Sequence, residues 1–121
     1  MIGFNRLEFM EVISDVMFLI VIDLDSGKIV YATLPAERLF GYNIRGELVG
    51  KVIEDLIPQS QRAIHIKHRT SYVPNSASRQ MGQGLKVQGL HRDGTVFPVM
   101  VSLSAGVISG TKCAIASITL P

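Results

Sequence analysis

The chain has 121 residues, 47% of them hydrophobic, and a formal net charge of +2, which bounds it to one ordinary domain around a single core. Its longest apolar run, residues 17–22, falls far short of the roughly 20 residues that a membrane-spanning helix requires, and no basic stretch leads into a cleavable apolar segment, so a cytoplasmic protein without membrane contact is expected. The lone cysteine, Cys113, excludes an internal disulfide, offers no zinc-ligand spacing and reads as a small buried hydrophobe.

Phe4, Leu7, Met10, Ile13 and Met17 recur at three- and four-residue spacing, which predicts a flanking helix within residues 1–17 that carries one apolar stripe. Residues 18–22 are a nearly unbroken β-branched and aromatic run, closed by Asp25, Ser26, Gly27 and Lys28 and followed by residues 29–32, the pattern of a β-hairpin. Between residues 34 and 57, short pieces punctuated by Gly41, Gly46 and Gly50, with Pro58 just beyond, are each too short to be stable helices alone and must pack on a sheet. Residues 59–73 read as the one long helix of the second half, with Ser60 as its cap and Pro74 as its stop, and the polar residues 75–83 read as a loop.

Three further strands are expected at residues 84–89, 95–104 and 112–119, joined by turns at Arg92-Asp93-Gly94 and Ile108-Ser109-Gly110. Phe97, Val99, Val101 and Leu103 alternate onto one face, and Pro98, which has no amide to donate, predicts a bulge or an irregular start within that strand. The economical assembly is an α+β domain over residues 18–121: a five-stranded antiparallel sheet with helices on one face, enclosing a pocket.

Charge is unevenly distributed. Nine of the ten acidic residues lie at or before Asp55, whereas residues 57–92 hold none and carry Arg62, Lys67, Arg69, Arg79, Lys86 and Arg92. Such a field suits an anionic ligand or an acidic partner face, although scattered cations of this kind are ordinarily solvated surface. Nucleic acid is not an expected partner, because these cations are not interleaved with aromatic residues.

The stretches AERLFGY (36–42), GELVGKVIEDLIP (46–58) and RDGTVFPVMVSLS (92–104) resemble the PAS domain, the sensory module of bacterial histidine kinases, diguanylate cyclases and chemoreceptors. The resemblance runs over residues 15–119. It implies the five-stranded PAS sheet, a ligand pocket or protein-contact surface instead of a catalytic site, an output domain such as a histidine kinase or diguanylate cyclase, and a homodimer formed through the helix before the first strand. Two positions depart from the family pattern: Thr33 stands where an asparagine is common, and the ending Ser117-Ile118-Thr119 replaces the usual aspartate-isoleucine-threonine.

Arg62-Ala63-Ile64-His65 further resembles the segment that supplies the iron ligand in haem-carrying PAS domains of oxygen sensors, which makes His65 a candidate axial ligand. In the same register Leu85 stands where such sensors place a gas-contacting arginine. Of the two basic positions that meet the haem propionates, one is Ser71 and the other Arg79, while Val101 and Leu103 fill the distal apolar positions. A photoactive flavin is not expected, because it needs a reactive cysteine on a helix and Cys113 falls on the last strand.

The candidate pocket residues are therefore His65, His68, Tyr72, Arg79, Leu85, Val101 and Leu103, with Arg79 as the partner for an anionic group on a small-molecule ligand. His65 and His68 share a helix face, but no acidic residue lies near them in sequence, so a divalent metal site is not expected. His91, beside a turn, reads as exposed surface. The rival reading is a ligand-free interaction module whose active surface is the stripe Phe4, Leu7, Met10, Ile13 and Met17. No nucleophile-base arrangement stands out, and catalysis is not expected.

Overall fold

A computed structural model describes residues 5–71 and 85–121. Helix α1, Arg6–Val16, opens on a reciprocal cap in which Glu8 N donates to Asn5 Oδ1 at 2.8 Å and Asn5 N donates to Glu8 Oε1 at 3.0 Å. It carries Leu7, Met10 and Ile13 of the predicted stripe; Phe4 lies outside the described residues, and Met17 follows the helix, exposed.

Strands β1, Leu19–Asp23, and β2, Ile29–Ala32, form the expected hairpin. Its turn is built from local chemistry. Asp23 Oδ1 accepts the amides of Asp25 at 2.9 Å and Ser26 at 3.1 Å, and Gly27 adopts a φ of +79° that other residues rarely sustain.

Helix α2, Leu34–Leu39, starts at Thr33, whose hydroxyl accepts the Ala36 amide at 3.4 Å and the Leu19 amide at 3.1 Å and donates to Met17 O. The residue that departs from the family pattern thus keeps the local bonding role, tying the helix start to the entry of β1. Thr33 is fully buried, so Thr33→Ala should lower stability by about 2 kcal/mol in urea denaturation, the upper end for a cap, whereas Thr33→Ser should retain most of it.

Two 3-10 turns follow, Ile53–Leu56 and Gln59–Gln61, and the second runs directly into α3, Arg62–Ser71. Ser60 therefore sits inside a turn of helix and does not cap it, because Pro58 with extended backbone is what opens the segment. Tyr72, Val73, Pro74 and the expected loop lie outside the described residues.

Strands β3, Leu85–Leu90, β4, Val96–Ile108, and β5, Thr111–Thr119, complete a five-stranded antiparallel sheet in the order β2-β1-β5-β4-β3. The β4–β5 hairpin is longer than expected and closes on Ser109 and Gly110 at φ +49° and +80°, the left-handed pair that a two-residue turn demands. No bulge occurs at Pro98, which pairs with Gln88 in unbroken register. Pairing of β4 with β5 begins only at Met100, so β4 has a single neighbour at the proline and the missing amide costs no ladder bond on the β5 side.

The core lies on one face of the sheet. Ile20, Ile22, Val99, Ala116 and Ile118 meet Ala36, Phe40, Leu48, Ile53 and Leu56 from the helical side, and Phe97, Val101 and Leu103 pack against them as the alternation predicts. The α2 region is anchored by a fully buried carboxylate: Glu37 accepts the amides of Gly46 at 3.0 Å and Leu48 at 2.9 Å. Two backbone donors of an irregular loop are satisfied this way, which lets the loop bury Leu48.

Candidate functional site

Side-chain size along the inner face of the sheet creates the site. On β5 the inward residues include Ala114 and Ala116, paired across β1 with Ile22 and Ile20, and Ala116 also faces Leu103 on β4. Two adjacent small residues at the sheet centre leave volume that the helical layer does not fill. The result is a cavity of about 480 Å3 between the sheet, the turn Ile53–Leu56 and α3, within the range of small-molecule sites. Ile20, Ile22, Phe40, Val99, Val101 and Ile118 supply much of its apolar wall.

Helix α3 forms the remaining wall and is bound to the domain mainly through polar contacts. Ile64 lines the cavity yet is 61% exposed, and Arg69 is the buried residue of the helix. Across the opening, Gln61 Nε2 donates to Gln88 Oε1 at 2.9 Å, joining the start of α3 to β3. Both glutamines line the cavity.

The strongest tie lies at the other end. The Arg69 guanidinium grips the buried Glu54 carboxylate with two bonds, Nε to Oε2 at 3.0 Å and Nη2 to Oε1 at 3.2 Å. Its Nη1 donates to the carbonyls of Leu24 at 2.9 Å and Asp25 at 3.0 Å, in the β1–β2 turn. Gly27 belongs to this fit as well: a Cβ there would stand 2.7 Å from Arg69 Cζ. The Glu54 oxygen that receives Nε also meets His65 Nδ1 at 2.6 Å. Burial alone would raise the Glu54 carboxyl, but hydrogen bonds from Arg69 and His65, with the charge of Arg69, outweigh it and hold the group below its ordinary value.

Four of the expected pocket residues, His65, His68, Val101 and Leu103, do surround one cavity. Leu85 opens β3 opposite Val101 in the backbone register, while Tyr72 and Arg79 lie outside the described residues. Three expectations need correction. Arg69 is not solvated surface but the buried centre of a network. An acidic partner for His65 does exist, because Glu54, eleven positions back and just before the acid-free segment, is folded against it around Pro58. His91 is half-buried, with its ring packed over Gly41 so closely that a Cβ there would lie 2.4 Å from its Cε1. Glycine at 41 is what allows that contact.

Sequence reasoning missed the Glu54–Arg69 pair because fifteen residues and a helix boundary separate the two. The available signal was that Arg69 lies four positions beyond His65, on the same helix face. Cys113 is buried with its thiol pushed up by burial and then by Asp23; strand alternation from the cavity-lining Ala114 places it on the opposite face of the sheet. No group of three or more potential metal-ligating side chains occurs among the described residues.

Haem, the cofactor that the sequence resemblance implies, finds one suitable donor. An imidazole that gives its Nδ1 proton to a carboxylate keeps Nε2 for a metal, the usual arrangement of ligating histidines. Of the two propionate positions that the resemblance implies, Ser71 brings no charge and Arg79 lies outside the described residues, while Arg69 is already bound to Glu54.

A five-stranded antiparallel sheet with a helical layer closing over an apolar cavity defines an α+β module with room for a small molecule. The PAS fold family matches residues 16–107, and the chain belongs to that family. It is 36% identical over 85 residues to the sensor protein FixL of Bradyrhizobium diazoefficiens, covering 70% of this chain and 16% of that protein. A probable serine/threonine-protein kinase of Dictyostelium discoideum is 31% identical over 94 residues, covering 78% of this chain and 6% of that protein. The chain thus spans a small part of the length of these relatives. Among solved structures, the PAS domain of an HTR-like protein from Haloarcula marismortui superposes with a TM-score of 0.74 at 17% identity, covering 93% of this chain and 88% of the other. Among the described residues no helix is long and apolar enough to cross a membrane.

Proposed function

We propose that this PAS domain is a cytoplasmic sensor that takes a small, mainly apolar molecule into the cavity beneath α3 and passes the change to an output domain such as a histidine kinase or diguanylate cyclase. The observation that carries this reading is the unfilled apolar volume over Ala114 and Ala116, closed by a helix held through polar bonds. A helix so attached can shift when the cavity fills, and a ligand signals only if it binds the shifted arrangement more tightly. The likeness to a sensor protein supports the same reading.

His65 is the group that would hold haem iron; when bound, haem would supply an open coordination position for a gas. Visible absorption with and without added haemin, together with native mass spectrometry of the protein as isolated, separates the possibilities. A Soret band that vanishes in His65→Ala would establish a haem sensor through that imidazole; a band unchanged in position and intensity would reject it. A retained organic mass without a band would establish a haem-free ligand sensor.

The alternative is a homodimeric interaction module acting through the stripe expected from the sequence, Phe4, Leu7, Met10, Ile13 and Met17. It is favoured if the spectrum is featureless, no mass is retained and a dimer persists on dilution.

A further inference from the structure

We infer that the cavity selects an uncharged apolar molecule carrying a single hydrogen-bond donor, and that the donor is received by Nε2 of His65. The inference deepens the ligand-sensor reading and rests on it. Its starting point is Glu54, whose carboxylate accepts from Arg69 through both oxygens and meets His65 Nδ1 at 2.6 Å. An ionised carboxylate only accepts, so Nδ1 must be the protonated ring nitrogen at this contact. In a neutral imidazole the other nitrogen is then a bare acceptor. Glu54 is thus a positioning residue: it acts on a ligand only through the tautomer of His65.

The same network argues against an anion. Arg69 lines the cavity and is the cation on the buried face of α3, but its Nε, Nη1 and Nη2 are all engaged by Glu54 and by the carbonyls of Leu24 and Asp25. Freeing it for a ligand carboxylate would leave Glu54 buried without its bidentate partner, which costs more than a surface pair returns. Of the other polar side chains that line the cavity among the described residues, Gln61 and Gln88 bond to each other and His68 is exposed. An apolar body satisfies Ile20, Val101, Leu103 and the exposed Ile64, and a lone hydroxyl, phenol or amide N–H satisfies His65.

Three probes of one shape separate these claims by calorimetric titration: para-pentylphenol, para-pentylanisole and para-pentylbenzoate. The phenol should bind about tenfold tighter than the anisole, the gain of one well-formed hydrogen bond, and the benzoate weakest. In His65→Leu the phenol should fall to the affinity of the anisole. Nitrogen NMR of the wild-type imidazole should show a protonated Nδ1 and an unprotonated Nε2, a readout independent of any ligand. Equal binding of all three probes, preference for the benzoate, or a protonated Nε2 on the neutral ring would overturn this inference and leave the ligand-sensor reading standing. Absence of binding by every probe would remove both.

Discussion

Arg69→Met is expected to destabilise the domain by about 3–4 kcal/mol, a fall in Tm of roughly 10–20 °C, because it strands the Glu54 carboxylate in a buried site with one partner gone. The bonds from Arg69 to the Leu24 and Asp25 carbonyls disappear with it, so the β1–β2 turn should lose protection from hydrogen exchange along with α3. The double variant Glu54→Leu/Arg69→Met removes both charges at once. It should recover most of the loss, since well-packed apolar residues commonly replace a buried ion pair at little cost. Urea denaturation of the two single variants and the double one closes the cycle, and the coupling should be large because the pair is bidentate and dry. Additive effects would mean that the pair contributes no more than two separate surface charges.

The pair also sets a pH dependence whose sign follows from Glu54. In the folded protein this carboxyl lies below its ordinary value of 4.5, so between the folded and the ordinary values the unfolded chain binds more protons. Its contribution is complete above the ordinary value and is lost as pH falls through the folded one. In Glu54→Leu/Arg69→Met that component of acid destabilisation should be absent, as comparison of urea midpoints from neutral pH downward would register.

The second large effect concerns the cavity itself. Ala116→Phe should reduce binding of an apolar ligand by at least about 100-fold while leaving Tm unchanged or higher, because the ring enters existing volume between Ile20 and Leu103 without displacing a packed group. Loss of binding through general unfolding would instead lower Tm, so the two readouts separate exclusion from damage. Ala114→Phe serves as a second variant, since Ala114 lines the same space opposite Ile22.

Much of this fold was legible before any coordinates. The alternation of Phe97, Val99, Val101 and Leu103 assigns the inner face of β4, and the turn residues assign the hairpins β1–β2, β3–β4 and β4–β5, because both depend on chemistry within a few residues, whereas the pairing of β1 with β5 is non-local and was not legible. His65, His68, Val101 and Leu103 were placeable around one cavity through the family resemblance, which aligns distant segments that periodicity cannot bring together. Glu54–Arg69 was not legible. Composition alone reads Arg69 as one of several surface cations, and only the reversal of the chain at Pro58 shows which of them meets a buried carboxylate. Pro98 misled for a related reason: whether a proline disturbs a strand depends on which flank is paired at that point, a property of the neighbouring strands.

The most direct test is a methyl-resolved NMR titration with para-pentylphenol. The account predicts saturable shifts confined to cavity methyls, those of Ile20, Ile64, Val101, Leu103 and Ile118, with Val30 and Val107 unmoved and no response in Ala116→Phe. Shifts that follow Val30 and Val107 instead, or cavity methyls that stay silent at saturating probe, would contradict it.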